Sequence, residues 1–408
     1  MTIAKLSILF KKLYERIYNW TTYYPDFILF LLTSSKEPNE KHVVFVGMYM
    51  HARIARTSRW IKKKDNRKTI LIAKKTVFTP ALSNDSFDKT ILFRNKWHLL
   101  KILKSYGGKN AIIHSFGPPH EAAFEIIKNS KNKKQTVLFD FQDLMISNFG
   151  MNPPFAYMKK DLDREKFILN HADGIVAHSL ELQSAKKYFG EIKTPKLFFP
   201  LYVDNIAFKE KANKVDDELH LVYVGGVHSK FQNKDYFGGL RLYWLVEKLN
   251  EQRIHFHIYP APTNRKEDLL DYIKFDKELA FFQLHKPVSQ ANLIEEINKY
   301  DFGVIPFFHN TNNKLNAKRT YCTTLKLFNY IEAGIPMIIG EDTAFENFLG
   351  RRFQSSVSFS YEMFDDVRNN LKSMNYNETL KHIRQTRETY SLETNIQKLL
   401  DFYNRLEQ

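Results

Sequence analysis

The sequence predicts an α/β protein built from two doubly wound parallel sheets in series. Short apolar and β-branched runs recur along the chain, and polar segments with helical periodicity separate them. The alternation stops once, in a charged stretch, and then starts again. A chain of 408 residues is long for one core and comfortable for two domains.

The first series places strands at Val43–Val46, Thr69–Ala73, Ala111–Ile113, Thr136–Phe139, Gly174–Ala177 and Leu197–Phe199. Helices are expected between them at Ala52–Lys64, His120–Asn129 and Leu162–Asn170. Because the strand runs are apolar throughout rather than alternating, both faces of the sheet should be covered. Tyr202–Glu218 is polar and charged and reads as the linker. The second series has strands at Leu219–Val224, His255–Tyr259, Leu279–Phe282, Phe302–Pro306 and Met337–Ile339, with helices at Tyr236–Leu249 and Ala291–Lys299. The resulting division is an N-terminal segment 1–40, a first domain 41–205, a second domain 206–375 and helical residues 376–408. Two such units leave a cleft between the carboxyl ends of their strands, where ligands of open α/β sheets bind.

Composition narrows the partners. The formal charge of +16 favours anionic ligands: phosphorylated small molecules, nucleic acid or an anionic membrane face. The lysines are scattered, with short runs at Lys62–Lys64 and Lys131–Lys134, and no aromatic-interleaved patch is present, which argues against nucleic acid. Cys322 is the single cysteine, so an intrachain disulfide is excluded and a reducing compartment fits. Near the start, the longest apolar run is Phe27–Leu32, far short of the ~20 residues a membrane span needs. Before it, Leu6, Phe10, Leu13, Ile17 and Trp20 form a stripe at helical spacing beside Lys5, Lys11, Lys12 and Arg16. That is the composition of an interfacial helix, and equally of an amphipathic helix packed on the protein's own body.

The motif richest in chemistry is Lys326-Leu327-Phe328-Asn329-Tyr330-Ile331-Glu332-Ala333-Gly334-Ile335-Pro336, a short helix, a glycine stop and a proline before a buried strand. Lys326 and Asn329 share one face at its start, where backbone N–H groups and a lysine seat a phosphate. Glu332, one turn on, reads as helix surface or a structural group. Tyr223-Val224-Gly225-Gly226 is a strand running into a glycine turn, followed by Lys230 and Lys234 as phosphate-neutralising groups. In the first unit Gly47 allows a tight turn, and His51, Arg53 and Arg56 follow it. Arg53 suits a diphosphate, whereas Arg56 reads as a solvent-facing helix start. His114 and His120 near a strand end, and Asp140 and Asp143 after the next, are the remaining polar candidates.

In this order the pieces resemble the nucleotide-sugar-binding half of GT-B fold glycosyltransferases, most closely the large retaining family 4. The elements that carry the resemblance are Tyr223–Lys230, Leu284–Val288, Asp301–Pro306 and Lys326–Pro336, with weaker support from Ala172–Ser179, Phe199–Asp204 and the closing helix through Tyr403. The resemblance implies two Rossmann-like domains facing a cleft and a C-terminal helix that crosses back to the first domain. It implies donor binding by Gly225, Gly226, Lys230, Tyr259, Lys286, Val288, Thr324, Lys326, Leu327 and Asn329, and an acceptor side at Gly47 and Arg53. Asp143, His120 and His51 are the candidates for catalytic groups. The chain departs from the family in four places. Asn329 stands where an acid binds the donor ribose, Tyr321 occupies the place of its paired acid, and Gln142 replaces a histidine before Asp143. The usual arginine after the glycines is also absent, leaving His228 or Lys230 in its place.

The implied activity is transfer of a sugar from a nucleotide-diphosphate sugar to a lipid-linked or saccharide acceptor, in cell-surface polysaccharide or glycolipid synthesis. It would proceed with retention and without a metal or other cofactor, the nucleotide sugar being the co-substrate. The basic surface and the N-terminal stripe place it in the cytoplasm, on the anionic inner face of the membrane. The alternatives are a nucleotide-sugar epimerase or hydrolase of the same fold, and a basic binding protein without activity.

Overall fold

The computed structural model describes residues 13–34, 40–48, 52–75, 85–108, 110–130, 135–212, 215–230, 240–308 and 317–408. The first sheet contains β1 (His42–Gly47), β2 (Lys68–Lys74), β3 (Lys89–Phe93), β4 (Ala111–Gly117), β5 (Thr136–Phe141), β6 (Gly174–Ala177) and β7 (Lys196–Phe198). Its seven parallel strands lie in the order β3-β2-β1-β4-β5-β6-β7. The second contains β8 (His220–Gly225), β9 (His255–Pro260), β10 (Phe282–Leu284), β11 (Phe302–Ile305), β12 (Met337–Gly340) and β13 (Ser356–Phe359). Its six strands run β10-β9-β8-β11-β12-β13, also parallel. Each sheet winds outward from its first strand and then reverses. The reversal leaves a switch point between β1 and β4 and another between β8 and β11.

The central strands are buried along their whole length, as their unbroken apolar runs require. The strands without a counterpart in the sequence reading, β3 and β13, are both edges. Each is covered incompletely and so carries polar residues, Lys89 and Thr90 in one and Ser356 and Ser358 in the other. The helix expected at Tyr236–Leu249 is observed at Tyr243–Glu251, and the earlier part of that segment lies outside the described residues.

The linker is not solvated at its start. Tyr202, Val203, Asp204 and Phe208 are buried. Val203 is bridged to Ser391: its N–H donates to the Tyr390 carbonyl at 3.2 Å, and its carbonyl accepts from Leu392 N–H at 2.8 Å. From there the last helix, Leu392–Glu407, lays Ile396, Leu399, Phe402 and Tyr403 against the first sheet, in one core with Val43, Phe45 and Val176. Ser391 caps it by accepting from Thr394 N–H.

One expectation is corrected at the hinge and one is narrowed. Arg56 does not face solvent, and Glu332 is the structural group rather than helix surface. Arg56, on the helix Ala52–Lys64 of the first unit, grips Glu332 of the second through two parallel hydrogen bonds of 2.7 and 2.9 Å. Both side chains are buried. Glu332 Oε1 also accepts from Asp204 N–H at 2.9 Å, and the Glu332 carbonyl accepts from Lys209 N–H at 2.7 Å. Gly334, at φ +69°, then turns the chain, and a Cβ there would lie 3.0 Å from the Lys209 carbonyl oxygen. The bond between the units therefore sits at the carboxyl end of the motif helix.

A second buried polar set crosses the other end of the second sheet. His220 Nδ1 lies 2.9 Å from His257 Nε2, and His257 Nδ1 lies 3.1 Å from His285 Nε2. Burial, reinforced by the neighbouring imidazoles, pulls His257 down to about 3; burial and Lys299 pull His285 down to about 4.

Among the described residues no helix is long and apolar enough to cross a membrane.

Two predictions follow from this packing. Arg56→Ala strands a carboxylate in the hinge and should cost about 3–5 kcal/mol in chemical denaturation, whereas Arg56→Met with Glu332→Leu should cost markedly less. The histidines bind protons more weakly folded than unfolded, so stability should be full above about pH 6.5 and fall as pH drops towards 4. His257→Gln should flatten that slope by up to about 1.4 kcal/mol per pH unit, read from denaturation midpoints across pH.

Candidate active site

The carboxyl ends of the two sheets open on a cleft of about 900 Å³. From the first unit come Pro118 and Pro119 after β4, reached through two cis peptide bonds, and Gln142 and Asp143 after β5. The helix Ala156–His171 adds Tyr157, Lys160 and Arg164. From the second come Phe307 after β11, the short helix Ala317–Tyr321, Thr324 and Lys326 at the start of the motif helix, and Glu346.

The motif helix, Leu325–Glu332, is fixed from below. The Tyr330 hydroxyl donates to the Val222 and Val304 carbonyls, both at 3.2 Å, across the switch point between β8 and β11. This anchoring points the helix start into the cleft. There the Lys326 side chain lies against Gly225, and its ammonium sits over the rings of Tyr223 and Phe307 at 5.3 and 5.2 Å. Gly225 has φ +129°, and a Cβ added to it would stand 2.9 Å from Lys326 Cε. The glycine turn and the motif lysine, about 100 residues apart in the chain, thus form one surface.

Polar groups in this corner are only partly satisfied. Glu346 accepts from Thr324 N–H at 2.7 Å, so one anion already stands at the helix start. Among the described residues Arg319 Nη1 is buried without a hydrogen-bond partner, while the Thr324 hydroxyl faces the Glu346 carboxylate. Burial lowers the pKa of Lys326, with Glu346 working against it, and burial likewise lowers that of Arg319, with Asp342 working against it. Cations held in this state gain from an arriving anion.

Asp143 bridges the cleft, 2.9 Å from Lys318 Nζ. Glu181 and Cys322 lie close by, the three ligand atoms falling within 4.8 Å of one another. Burial and then Asp143 push Glu181 up to about 8, and burial pushes the Cys322 thiol up. Two of the three groups therefore favour their protonated forms at neutral pH, and an ammonium occupies the third, so the set is poorly suited to a divalent cation. The chain's Asp-x-Asp sequence, Asp161-Leu162-Asp163, is no better suited. It lies on a helix, where positions two apart face different ways. Asp161 is engaged with His120 N–H and Arg164, and Asp163 is exposed.

Of the residues singled out from sequence, Asp143, Thr324 and Lys326 line the cleft, with Gly225 behind the lysine. Gly226 and Lys230 lie in the adjoining loop, where Lys230 N–H donates to Asp271 at 2.7 Å and the Gly226 carbonyl accepts from the Tyr223 hydroxyl at 2.9 Å. Other candidates are drawn into the cores. Leu327 and Asn329 are buried and do not line the cleft. Tyr259 stacks on His285 and bonds the Tyr300 hydroxyl at 2.9 Å, Lys286 is exposed away from the cleft lining, and Val288 packs on the second core.

The acceptor and base expectations change most. Arg53 is no diphosphate ligand: it is buried, bonding Asp140 at 3.0 Å and the Phe199 carbonyl at 2.8 Å. Gly47 closes β1 inside the sheet. His120 is fully buried and bonds Glu165 at 2.8 Å, so it is a structural residue rather than a base at the cleft surface. His114 is likewise enclosed, 2.6 Å from the Tyr403 hydroxyl and 3.3 Å from Asp140. His51 and Lys234 lie outside the described residues.

The residues missed from sequence are Lys318, Arg319 and Glu346. Their short helices carry no motif, and the sole local signal was the pair of adjacent cations.

No family model matches the chain, and no curated protein matches it in sequence. Solved structures do match in fold. The sucrose-phosphate synthase of Thermosynechococcus elongatus is similar with a TM-score of 0.63 at 11% identity, over 90% of this chain and 99% of that one. HepE from Anabaena, solved with UDP, gives 0.61 at 10% identity over 89% and 100%. The lipopolysaccharide outer core galactosyltransferase WaaB gives 0.57 at 11% identity over 89% and 99%. The two facing parallel sheets are those of the GT-B fold.

Gly225→Ala should displace the Lys326 side chain without disturbing the core. The expected result is loss of the Lys326 contact with the Tyr223 ring, read as a change in the near-UV circular dichroism spectrum with the far-UV spectrum unchanged.

Proposed function

We propose that the chain is a metal-independent glycosyltransferase that moves a sugar from a nucleotide-diphosphate sugar to a lipid-linked or saccharide acceptor at a membrane surface. One observation carries this reading: Lys326, Arg319 and Thr324 line one GT-B cleft, Lys326 lies against the Gly225 turn, and Arg319 keeps a buried nitrogen without a partner among the described residues. As the bond from the anomeric carbon to the diphosphate breaks, negative charge grows on the departing oxygen. Lys326 and Arg319 stabilise that charge, and the motif helix adds its positive end. UDP in the HepE structure supports the diphosphate as the ligand class.

Retention is the favoured course. Inversion needs a free base beside the acceptor hydroxyl, but His120 is enclosed and Asp143 is held by Lys318. In a retaining path the departing phosphate itself takes the proton of the acceptor hydroxyl as the new bond forms. The Asp143–Lys318 pair then holds the two halves of the cleft at a fixed separation.

Thermal unfolding with UDP, GDP, ADP and CMP tests the reading. One of them, near a hundred times its dissociation constant, should add about 2.7 kcal/mol and raise the midpoint by several degrees. Lys326→Ala should remove most of that shift and most transfer activity while leaving the unliganded midpoint nearly unchanged. If no nucleotide raises the midpoint, the proposal fails.

A further inference from the structure

A second cavity, of about 370 Å³, lies at the carboxyl ends of β1, β2 and β3, beneath the N-terminal helix. Met48, Lys74 and Phe93 floor it, and Tyr18 and Tyr23 of the helix close one side. Five cations line it, Lys74, Arg94, Lys96, Lys160 and Arg164, against the two carboxylates Glu121 and Glu125. Arg94 is held by Asp26, Lys96 faces Glu125 at 3.4 Å, and Arg164 faces Asp161 at 3.4 Å. Lys74 and Lys160 form no ion pair among the described residues. Glu121, Lys160 and Arg164 line both this cavity and the large cleft, so the two share a wall.

The helix above carries a second, independent signal. Residues 13–32 are helical throughout, with a π-turn at Asn19–Tyr23. One face is docked: Phe27 and Phe30 pack on Trp97 at 4.6 and 5.5 Å, and buried Asp26 forms two hydrogen bonds to Arg94, at 2.6 and 2.7 Å. That bond fixes the roll of the helix. The other face presents Leu13, Ile17, Trp20, Tyr24, Ile28 and Leu31 in a continuous stripe, each at least 52% exposed. The stripe is more than half exposed along its length, and its aromatic and aliphatic make-up suits the headgroup boundary of a bilayer.

We propose that this cavity binds the phosphate or diphosphate of a lipid-linked acceptor whose hydrocarbon chain stays in the bilayer against the helix stripe. The inference rests on the transferase reading and names its acceptor class. Among the described residues Lys74 and Lys160 have no ion-pair partner, and a lipid phosphate would neutralise their charge. The shared wall then passes the sugar carried on that phosphate towards the donor side. A zwitterionic or merely anionic phosphodiester lipid lacks the dense diphosphate charge that the cavity selects.

Co-sedimentation of the full chain with phosphatidylcholine vesicles tests this, the vesicles being doped with polyisoprenyl diphosphate or, at equal charge, with phosphatidylglycerol. The parent should bind the diphosphate vesicles roughly tenfold more tightly. Lys74→Glu should erase that preference, Lys74→Arg should restore it, and Trp20→Lys with Ile28→Lys should weaken binding to both vesicle types. Equal binding of the parent to both vesicles, or a preference that survives Lys74→Glu, overturns the proposal. The thermal shift with nucleotide is measured on the same Lys74→Glu protein and should persist. If the parent prefers diphosphate vesicles but no nucleotide stabilises it, the transferase reading falls and the lipid site stands.

Discussion

The buried pair between Arg56 and Glu332 is the constraint on which the two-sheet arrangement depends. It joins the first helix of one unit to the motif helix of the other by two parallel charge-assisted bonds. Burial pushes the Glu332 carboxyl up, and the Arg56 guanidinium and Asp204 N–H pull against it. Such a pair adds little net stability over a well-packed apolar contact, but it admits few alternative geometries. Its placement matters more than its strength. With the carboxyl end of the motif helix held at the hinge and Tyr330 bonded across the switch point, the other end has one place to go, the cleft. Asp204 extends the same knot, facing Arg59 at 3.6 Å and the Trp60 indole at 3.4 Å.

Charge in the cleft is arranged differently from what the family resemblance implies. Asn329, in the position of an expected acid, is buried and does not line the cleft. The cleft gains a different arginine, Arg319, from a short helix nearly a hundred residues after the glycine turn. Glu346 sits against the helix start and keeps Thr324 in place while opposing the desolvation of Lys326. The corner is therefore preorganised around cations whose charge the protein only partly compensates, a state that favours a diphosphate over a neutral sugar.

The N-terminal helix shows how one polar residue sets the use of an apolar surface. Without Asp26 the segment 24–32 is almost uniformly apolar and offers no reason to prefer one face. The bond to Arg94 and the aromatic contacts with Trp97 choose the docked side, and the stripe from Leu13 to Leu31 becomes the outer one. The same arginine lines the second cavity, so helix orientation and cavity charge share a residue.

The sequence by itself determined the two parallel sheets, because strands buried on both faces must be apolar throughout and the alternation of period leaves a clear record. It also singled out Lys326 and the Gly225–Gly226 turn, since helix starts and glycine turns have local signatures, and the fold brings the lysine against Gly225. Edge strands β3 and β13 were illegible because a half-covered strand mixes polar and apolar residues as a loop does. Only the tertiary structure decided which charged residues face a ligand. Arg53, Arg56, His114, His120 and Glu332 carry the same side chains as catalytic groups, but each found its partner far along the chain and was buried with it. Lys318, Arg319 and Glu346 carry no motif that reveals a function, yet they reach the cleft. Burial and pairing depend on neighbours distant in sequence, and one-dimensional spacing does not record them.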